Sequence, residues 1–306
     1  MDILQYAFFQ HALWGSLLMS VACGIMGTYI VSRRLVFISG GITHASFGGL
    51  GIGFYLGVNP FPAALGFAIL SAFGVEWASK SYRVREDSAI AAVWSLGMAV
   101  GMVFIVLTPG YAPNLSSYLF GNILTVSGTD ILWTAVFVLF LSTIFLLLYR
   151  EIVYSAFDRD FAVTQGLPVK AIEYLMTVCI AVTIVLSIRL VGIMLLMSML
   201  TVPQMTVNLF TSGFKRIVFG SILLGICACA AGLFLSYVLH VPSGTFIIIV
   251  LIVFFLLAKG VLLLQRKMKL LPDKENHIVT PGRKKFSAMR MKTKGFKFNR
   301  EEAHER

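Results

Sequence analysis

Charged residues are scarce in this chain. Only 13% of its 306 residues are Asp, Glu, Lys or Arg, whereas soluble domains carry roughly 25%. Disordered chains and coiled coils need many charges, so the composition excludes both of these classes as well as a soluble globular domain. Hydrophobic residues make up 58% of the chain, and its mean hydropathy is +0.87. These values predict an all-α membrane protein that crosses the bilayer several times.

Motifs for covalent chemistry are also missing. The four cysteines lie in apolar runs, and their spacings match no zinc or haem motif, so we interpret them as packing residues. The sequence contains no metalloprotease spacing, nucleophile elbow or phosphate-binding glycine-rich loop. A membrane enzyme that uses His44 is the rival class, but it would need catalytic residues clustered at one membrane face, and no such cluster occurs. We therefore expect a protein that is not an enzyme and holds no permanently bound cofactor.

The net charge of +11 is concentrated at one end of the chain. Residues 265–306 carry 13 of the 25 Lys and Arg residues, which leaves residues 1–264 with a net charge of only +3. This division predicts a transmembrane domain over 1–264 and a basic, disordered cytoplasmic tail over 265–306. We interpret the tail as solvated, with anionic lipid headgroups or RNA as alternative partners. The basicity does not indicate a nucleic-acid-binding domain.

Uncharged apolar stretches predict the membrane crossings, because a helix needs about 20 apolar residues to span the bilayer. Single spans are expected over 12–31, 88–107, 131–149 and about 172–188. The runs 35–75 and 217–258 are too long for one helix, and each breaks at a turn that contains proline. A further run, 190–214, is interrupted by Pro203. The total is eight full spans and one short or broken element, a bundle of 8–9 transmembrane helices.

Basic residues predict the orientation, because Lys and Arg remain on the cytoplasmic side. Pairs or groups of them follow alternate spans, beginning with Arg33 and Arg34, and the loops around Asn59, 110–129 and His240 contain none. This alternation places the N-terminus outside and the C-terminus in the cytoplasm, provided that the Pro203 element crosses. Arg189 is the exception, and we expect it to snorkel or to pair within the bundle.

The second predicted span carries small residues at every fourth position, which allows another helix to approach closely. The stripe consists of Gly41, Ala45, Gly49, Gly53 and Gly57. His44 projects from nearly the same face. An ionisable side chain within a membrane span indicates a place on a substrate path, and imidazole is a common ligand of transition metals. The alternative is a histidine that is hydrogen-bonded for packing.

The run that contains Pro203 also contains Gln204 and Asn208, which lie about one helical turn apart. Broken membrane helices free backbone carbonyl groups and often mark where a substrate passes. These three residues are therefore candidates for the transport path. A purely structural kink is the alternative.

The segment 154–170 is the longest hydrophilic element between predicted spans. Asp158 can cap a short helix, Asp160 would lie in its first turn, and Gly166 followed by Pro168 would end it. A short capped helix in a cytoplasmic loop needs a partner, which is either the membrane surface or another protein.

Five stretches, taken in order, resemble the membrane subunit of bacterial ABC importers for zinc, manganese and iron. They are RRLVFISGGITHASFGGLGIGFYLGVNPF (33–61), EDSAIAAVWSLGMAVGMV (86–103), SYLFGNIL (117–124), FDRDFAVTQGLPV (157–169) and SIRLVGIMLLMSMLTVPQ (187–204). The resemblance covers residues 11 to about 264. The fourth stretch is the most specific, and the tail lies outside the resemblance.

The resemblance implies an ABC importer permease fold in the cytoplasmic membrane of a bacterium. It also implies a homodimer, an ABC ATPase subunit that binds ATP, and an external metal-binding lipoprotein or periplasmic protein that delivers the ion. The short loop helix would then be the coupling helix that docks into the ATPase. The residues carried over for this role are Asp158, Arg159, Asp160, Phe161, Ala162 and Gly166.

In the family that the chain resembles, a carboxylate and a histidine one turn apart on the second span bind the transported metal. His44 matches the histidine, whereas Gly40 occupies the carboxylate position. Without the carboxylate, zinc is favoured over manganese and iron as the transported divalent ion. A permease for a metal chelate or a cobalamin-like cargo is the alternative.

Overall fold

The structure, a computed structural model, describes residues 7–82, 85–109, 126–239 and 241–270. Several predicted features lie outside these residues. They are the SYLFGNIL stretch, the turn residue His240 and residues 271–306 of the predicted tail. The chain divides into two compact units, Met1–Leu264 and Gln265–Arg306. The assignment of a transmembrane domain and a disordered tail stays a prediction.

The described residues form only helices and the turns between them. The helices are α1 (Ala7–Ser32), α2 (Val36–Tyr55), α3 (Pro60–Tyr82), α4 (Glu86–Leu107), α5 (Gly128–Leu147), α6 (Tyr149–Phe157), α7 (Arg159–Thr164), α8 (Val169–Met199), α9 (Val202–Asn208), α10 (Phe214–Leu239) and α11 (Ser243–Leu270). With the apolar composition of these helices, this architecture confirms the prediction of an all-α membrane protein.

Six segments among the described residues are long and apolar enough to cross a membrane. They are Phe9–Ser32, Asp87–Leu107, Gly128–Leu147, Val169–Asn208, Phe214–Leu239 and Ser243–Gln265. The number is lower than the predicted 8–9 for three physical reasons. Glycine and polar residues lower the hydropathy of α2, α3 is apolar only over Pro60–Val75, and α8 and α9 form one 40-residue run.

The helices α1 and α8 are the most buried of these candidate spans. α1 packs against α5, α8 and α10, and α2 packs against α3 and α4. Small residues allow the close approaches: a Cβ at Gly24 of α1 would overlap the side chain of Ile222 on α10. The apolar core therefore lies between α1, α8 and α10, and α2 lies between α3 and α4.

The sequence predicts a helix break at Pro203, but the structure has its first break earlier, at Gly192. α8 continues to Met199, but its backbone is non-helical at Gly192, where φ is 78° and ψ is 169°. Only glycine adopts this region readily, because it has no Cβ. The chain turns again at Thr201, and Pro203 lies at the start of α9, where a proline is tolerated. The expected single interruption is therefore two, at Gly192 and at Thr201.

Two contacts with α5 show where the segment that contains these breaks begins and ends. Nε of Arg189 lies 2.7 Å from Oδ1 of Asp130, in the first turn of α5. Of the two expectations for Arg189, snorkelling or pairing within the bundle, the structure has the pairing. Phe214 stacks on Phe145, near the last residue of α5, with ring centroids 6.3 Å apart. Residues 189–214 therefore run from one end of α5 to the other.

Candidate functional site

His44 lies on α2, and its ring is half-buried. The imidazole stacks on the indole of Trp94 of α4, with ring centroids 4.2 Å apart and planes that differ by 6°. Its Nδ1 atom is buried and has no hydrogen-bond partner among the described residues. A buried polar atom without a protein partner is costly, and such an atom often indicates a place for an ion or a water molecule. The prediction identified His44, but no sequence signal paired it with Trp94.

Gly40 lies one helical turn before His44 on α2. A Cβ at this glycine would lie 2.9 Å from Cε and 3.9 Å from Sδ of Met197 on α8. The position that the resemblance assigns to a carboxylate therefore faces a thioether. The described residues contain no group of three or more His, Cys, Asp or Glu side chains able to hold a metal ion. A metal ion at this level would therefore need further ligands of other kinds, such as methionine, backbone or water, or ligands from a second copy of the chain.

The small residues of α2 face two different helices. A Cβ at Gly41 would lie 2.5 Å from Cγ2 of Ile90 on α4, and Cα of Ala45 approaches Gly97 of the same helix. Further along, Gly49 contacts the backbone of Ala63, and Gly53 contacts Pro60, both on α3. Steps of four residues rotate the stripe by about 40° each, because a helical turn holds 3.6 residues. The stripe therefore passes from α4 to α3.

Gly57 differs from the other residues of the stripe. A Cβ at this position would meet nothing within 4 Å, and its φ is 66°. The N–H of Val58 donates to the carbonyl of Gly53, and that of Gly57 donates to Phe54. This pattern is a Schellman cap, so Gly57 ends α2 and does not pack against another helix.

The three candidate path residues lie in different environments. Gln204 is fully buried, and its Nε2 donates to the carbonyls of Cys23 at 2.8 Å and Met199 at 3.2 Å. Pro203 is buried beside it at the start of α9, whereas Asn208 is exposed. Gln204 thus joins α9 to α1 and α8. The assignment of the three residues to a transport path stays a prediction.

The segment that begins at Asp158 forms the short helix that the sequence predicts. Oδ1 of Asp158 accepts a hydrogen bond from the N–H of Phe161 at 2.9 Å and caps α7. Asp160 lies in the first turn, and Gly166 follows the helix with a φ of 74°. Ala162 is buried, whereas Phe157 and Phe161 are largely exposed. The exposed apolar rings leave a surface that a partner can cover.

An ionic cluster that the sequence did not indicate holds this helix in place. Nη2 of Arg33, which follows α1, donates to Oε1 of Glu173 near the start of α8 at 2.8 Å. Nε of Arg159 on α7 donates to the same carboxylate oxygen at 3.1 Å. Nη1 of Arg33 donates to the carbonyl of Ser155 on α6 at 2.8 Å. Glu173 therefore connects α7 to α1 and α8, the two most buried candidate spans.

A cavity of about 470 Å³ lies near the other end of α5. Its lining includes the ion pair of Asp130 and Arg189, with Phe61 and Trp133 among the apolar walls. The guanidinium carbon of Arg189 lies 4.3 Å from the centroid of the Phe61 ring. His44 does not line this cavity, so the cavity and the histidine are separate features.

Comparisons with known proteins identify the family to which this chain is similar. The family model of the ABC 3 transport family matches residues 5–262. An uncharacterised membrane protein of Synechocystis is 37% identical over 255 residues, which cover 83% of this chain and 91% of that protein. The manganese transport system membrane protein MntC of Halalkalibacterium halodurans is 32% identical over 257 residues, which cover 84% of this chain and 88% of that protein.

A solved structure agrees with the sequence comparisons. PsaBC from Streptococcus pneumoniae, solved in complex with a Fab, superposes with a TM-score of 0.77 at 29% identity. The match covers 84% of this chain and 93% of that chain. Since the family model spans most of the sequence, the chain belongs to the ABC 3 transport family and is a multi-pass membrane permease of the metal-ion ABC importer type.

Proposed function

We propose that this chain is the transmembrane subunit of an ATP-driven importer that carries zinc into a bacterial cell. The observation that carries the proposal is His44, whose buried Nδ1 lacks a partner among the described residues on a membrane helix of a metal permease. A neutral imidazole can bind a transition metal through such a nitrogen. The ion is the transported substrate and is not a resident cofactor.

Zinc competes in this proposal with manganese and iron. A relative of the chain is named a manganese transport protein, which favours manganese. The ligands of the site favour zinc, because α2 contains no acidic residue and Mn²⁺ prefers carboxylate oxygen. We give more weight to the ligands, since they belong to this chain.

The proposed topology has the N-terminus outside and the C-terminus in the cytoplasm. The six candidate spans together with α2 and α3 supply eight long crossings. The ninth is the segment from Gly192 to Phe214, and the contacts of Arg189 and Phe214 with opposite ends of α5 support it. A helix of 20 residues such as α5 is about 30 Å long, which matches the bilayer core.

The proposed complex is a homodimer of this chain with ABC ATPase subunits below it and an external metal-binding protein above it. ATP would bind only to the ATPase. In this arrangement α7 is the coupling helix. The exposed rings of Phe161 on α7 and of Phe157 at the end of α6 would insert into the ATPase. The cluster around Glu173 would pass the movement of α7 to α1 and α8.

The test is growth of a strain that lacks this chain in the presence of a metal chelator, with zinc, manganese or iron restored separately. We expect a growth defect that low zinc relieves only when the intact chain is present. His44→Ala should fail to complement the defect. His11→Ala, which changes a histidine near the start of α1 whose Nδ1 lies 3.2 Å from the carbonyl oxygen of Val126, should complement it. Normal growth of the deletion strain under chelation, or full zinc uptake by His44→Ala, would contradict the proposal.

A further inference from the structure

Met197 occupies the space that a side chain at position 40 would fill. The Cε atom of Met197 lies 2.9 Å from the ideal Cβ position of Gly40, closer than two unbonded carbon atoms normally approach. Glycine at this position therefore makes room for the methionine, which is half-buried on α8 between Gly192 and Thr201. A larger residue would displace the end of the methionine side chain.

This contact places a second candidate ligand atom beside Gly40, one helical turn before His44. Residues four apart on a helix have Cβ atoms about 5–6 Å from each other, and Sδ of Met197 lies 3.9 Å from the Cβ position of Gly40. Together these two distances place the sulfur no farther than about 10 Å from Cβ of His44. The Nδ1 atom of that imidazole is unpaired among the described residues. Neither group carries a charge when the histidine is neutral.

We propose that the thioether of Met197 takes the place of a carboxylate and binds the transported ion together with His44. This inference rests on the proposed function and specifies the chemical class of its substrate. Nitrogen and thioether ligands suit soft and borderline ions such as Zn²⁺, whereas Mn²⁺ prefers carboxylate, carbonyl and water oxygen. Gly40 and Met197 together would then set the metal preference of the permease.

Replacing the sulfur without changing the packing tests the proposal. Met197→Leu keeps a similar volume and loses the thioether, and Met194→Leu, on an exposed position one turn away, is the matched control. Cells that contain the complete transporter would be assayed for uptake of radioactive zinc and manganese. We expect Met197→Leu to lower the zinc-to-manganese ratio by about tenfold, the scale on which groups at metal sites alter affinity, and Met194→Leu to leave it unchanged.

Restoring the carboxylate provides the second test. Gly40→Asp adds a hard ligand and pushes aside the flexible end of Met197, whereas Gly40→Ala adds only the Cβ. We expect Gly40→Asp to raise manganese uptake relative to zinc and Gly40→Ala not to do so. Copurification of each variant with its ATPase would verify that it folds.

The two proposals fail in different ways. If the intact chain supports uptake of neither metal under chelation, the proposed function is wrong. If the intact chain imports zinc but Met197→Leu leaves the metal ratio unchanged, the thioether is not a ligand and only this inference is overturned. An equal shift in Met194→Leu and Met197→Leu would also overturn it, because packing would then explain the change.

Discussion

Single residues decide how closely α1 and α9 approach each other. Gln204 is fully buried and donates through Nε2 to the carbonyl of Cys23 on α1. A Cβ at Gly27, one turn further along α1, would overlap the amide of Gln204 and lie 2.6 Å from the carbonyl oxygen of Leu200. The absence of a side chain at Gly27 therefore allows this buried amide to reach α1.

Gly27→Ala should destabilise the permease. The added methyl has to displace both the Gln204 amide and a backbone carbonyl, and overpacking of this kind costs about 1–3 kcal/mol. The measurement is the thermal unfolding midpoint of the detergent-purified chain. Gly66→Ala on α3 is the control, because a Cβ there would meet nothing within 4 Å and alanine favours a helix. A lower midpoint in the control, or an unchanged midpoint in Gly27→Ala, would contradict the argument.

The sequence alone indicated which residues are candidates for a functional or structural role, but it did not predict which residues they contact. It marked His44 as an ionisable residue inside a span. It expected Arg189 either to snorkel or to pair within the bundle, and the structure pairs it with Asp130. It could not identify Trp94 or Met197 as neighbours of α2. Those contacts depend on how α4 and α8 are rotated and offset against α2, and local periodicity contains no such information.

At the scale of elements, the short helix α7 depends on its N-cap. The six residues Arg159–Thr164 form fewer than two turns, and isolated helices of this length are unstable in water. Asp158 caps the helix through the N–H of Phe161. Loss of a capping side chain costs about 1 kcal/mol, which is large for so short a helix.

Asp158→Ala should weaken association with the ATPase, because the exposed ring of Phe161 on α7 would no longer be held in one orientation. Asp158→Asn retains a good capping side chain and removes the charge, so it should preserve the association. The measurement is the amount of ATPase that copurifies with each variant. Equal loss in both variants would indicate that the carboxylate acts through its charge and would contradict the role of the cap.

Glu173 should be a positioning residue for transport. Its carboxylate is 17% exposed and accepts hydrogen bonds from both Arg33 and Arg159. Glu173→Gln removes the charge, and the loss of about 1 kcal/mol for a partly exposed ion pair corresponds to roughly a fivefold change in the linked equilibrium. We expect the ATPase to remain bound while zinc uptake per ATP hydrolysed falls by a similar factor.

Glu151→Gln on the neighbouring helix α6 is the control for Glu173→Gln, and it should leave the ratio of uptake to hydrolysis unchanged. If Glu173→Gln reduced uptake and hydrolysis equally, it would have lowered the amount of assembled complex. That outcome would contradict a specific role in transmission.

Elements could be predicted from the sequence where local chemistry determines them. The cap of Asp158 and the end at Gly166 follow from residue type, and the structure has both. The sequence did not predict the break at Gly192. The glycines of α2 lie within a regular helix, so a single glycine in an apolar segment does not by itself indicate a break. The non-helical backbone of Gly192 lies inside α8, seven residues before the helix ends at Met199.

At the scale of the whole molecule, α4 has one face that the described residues leave uncovered. Ala92, Ser95 and Ala99 are exposed and lie about one turn apart, next to Trp94, which stacks on His44. Small side chains in a row allow two membrane helices to pack closely. A second copy of the chain placed here would bring two His44 side chains towards one path, as the proposed homodimer requires.

Ser95→Cys should therefore form a disulfide between two copies in the membrane. The exposed native Cys227 would first be replaced by serine, and the other three cysteines are buried. A disulfide needs Cβ atoms about 4 Å apart, so mild oxidation should give a dimer on a non-reducing gel only if the two α4 helices meet. Leu139→Cys on α5 is the control, because this position is 71% exposed but belongs to a face of large apolar residues suited to lipid. Crosslinking through both positions would indicate random collision between copies. Crosslinking through Leu139→Cys alone would indicate that the dimer interface lies at α5, and the two His44 side chains would then be far apart.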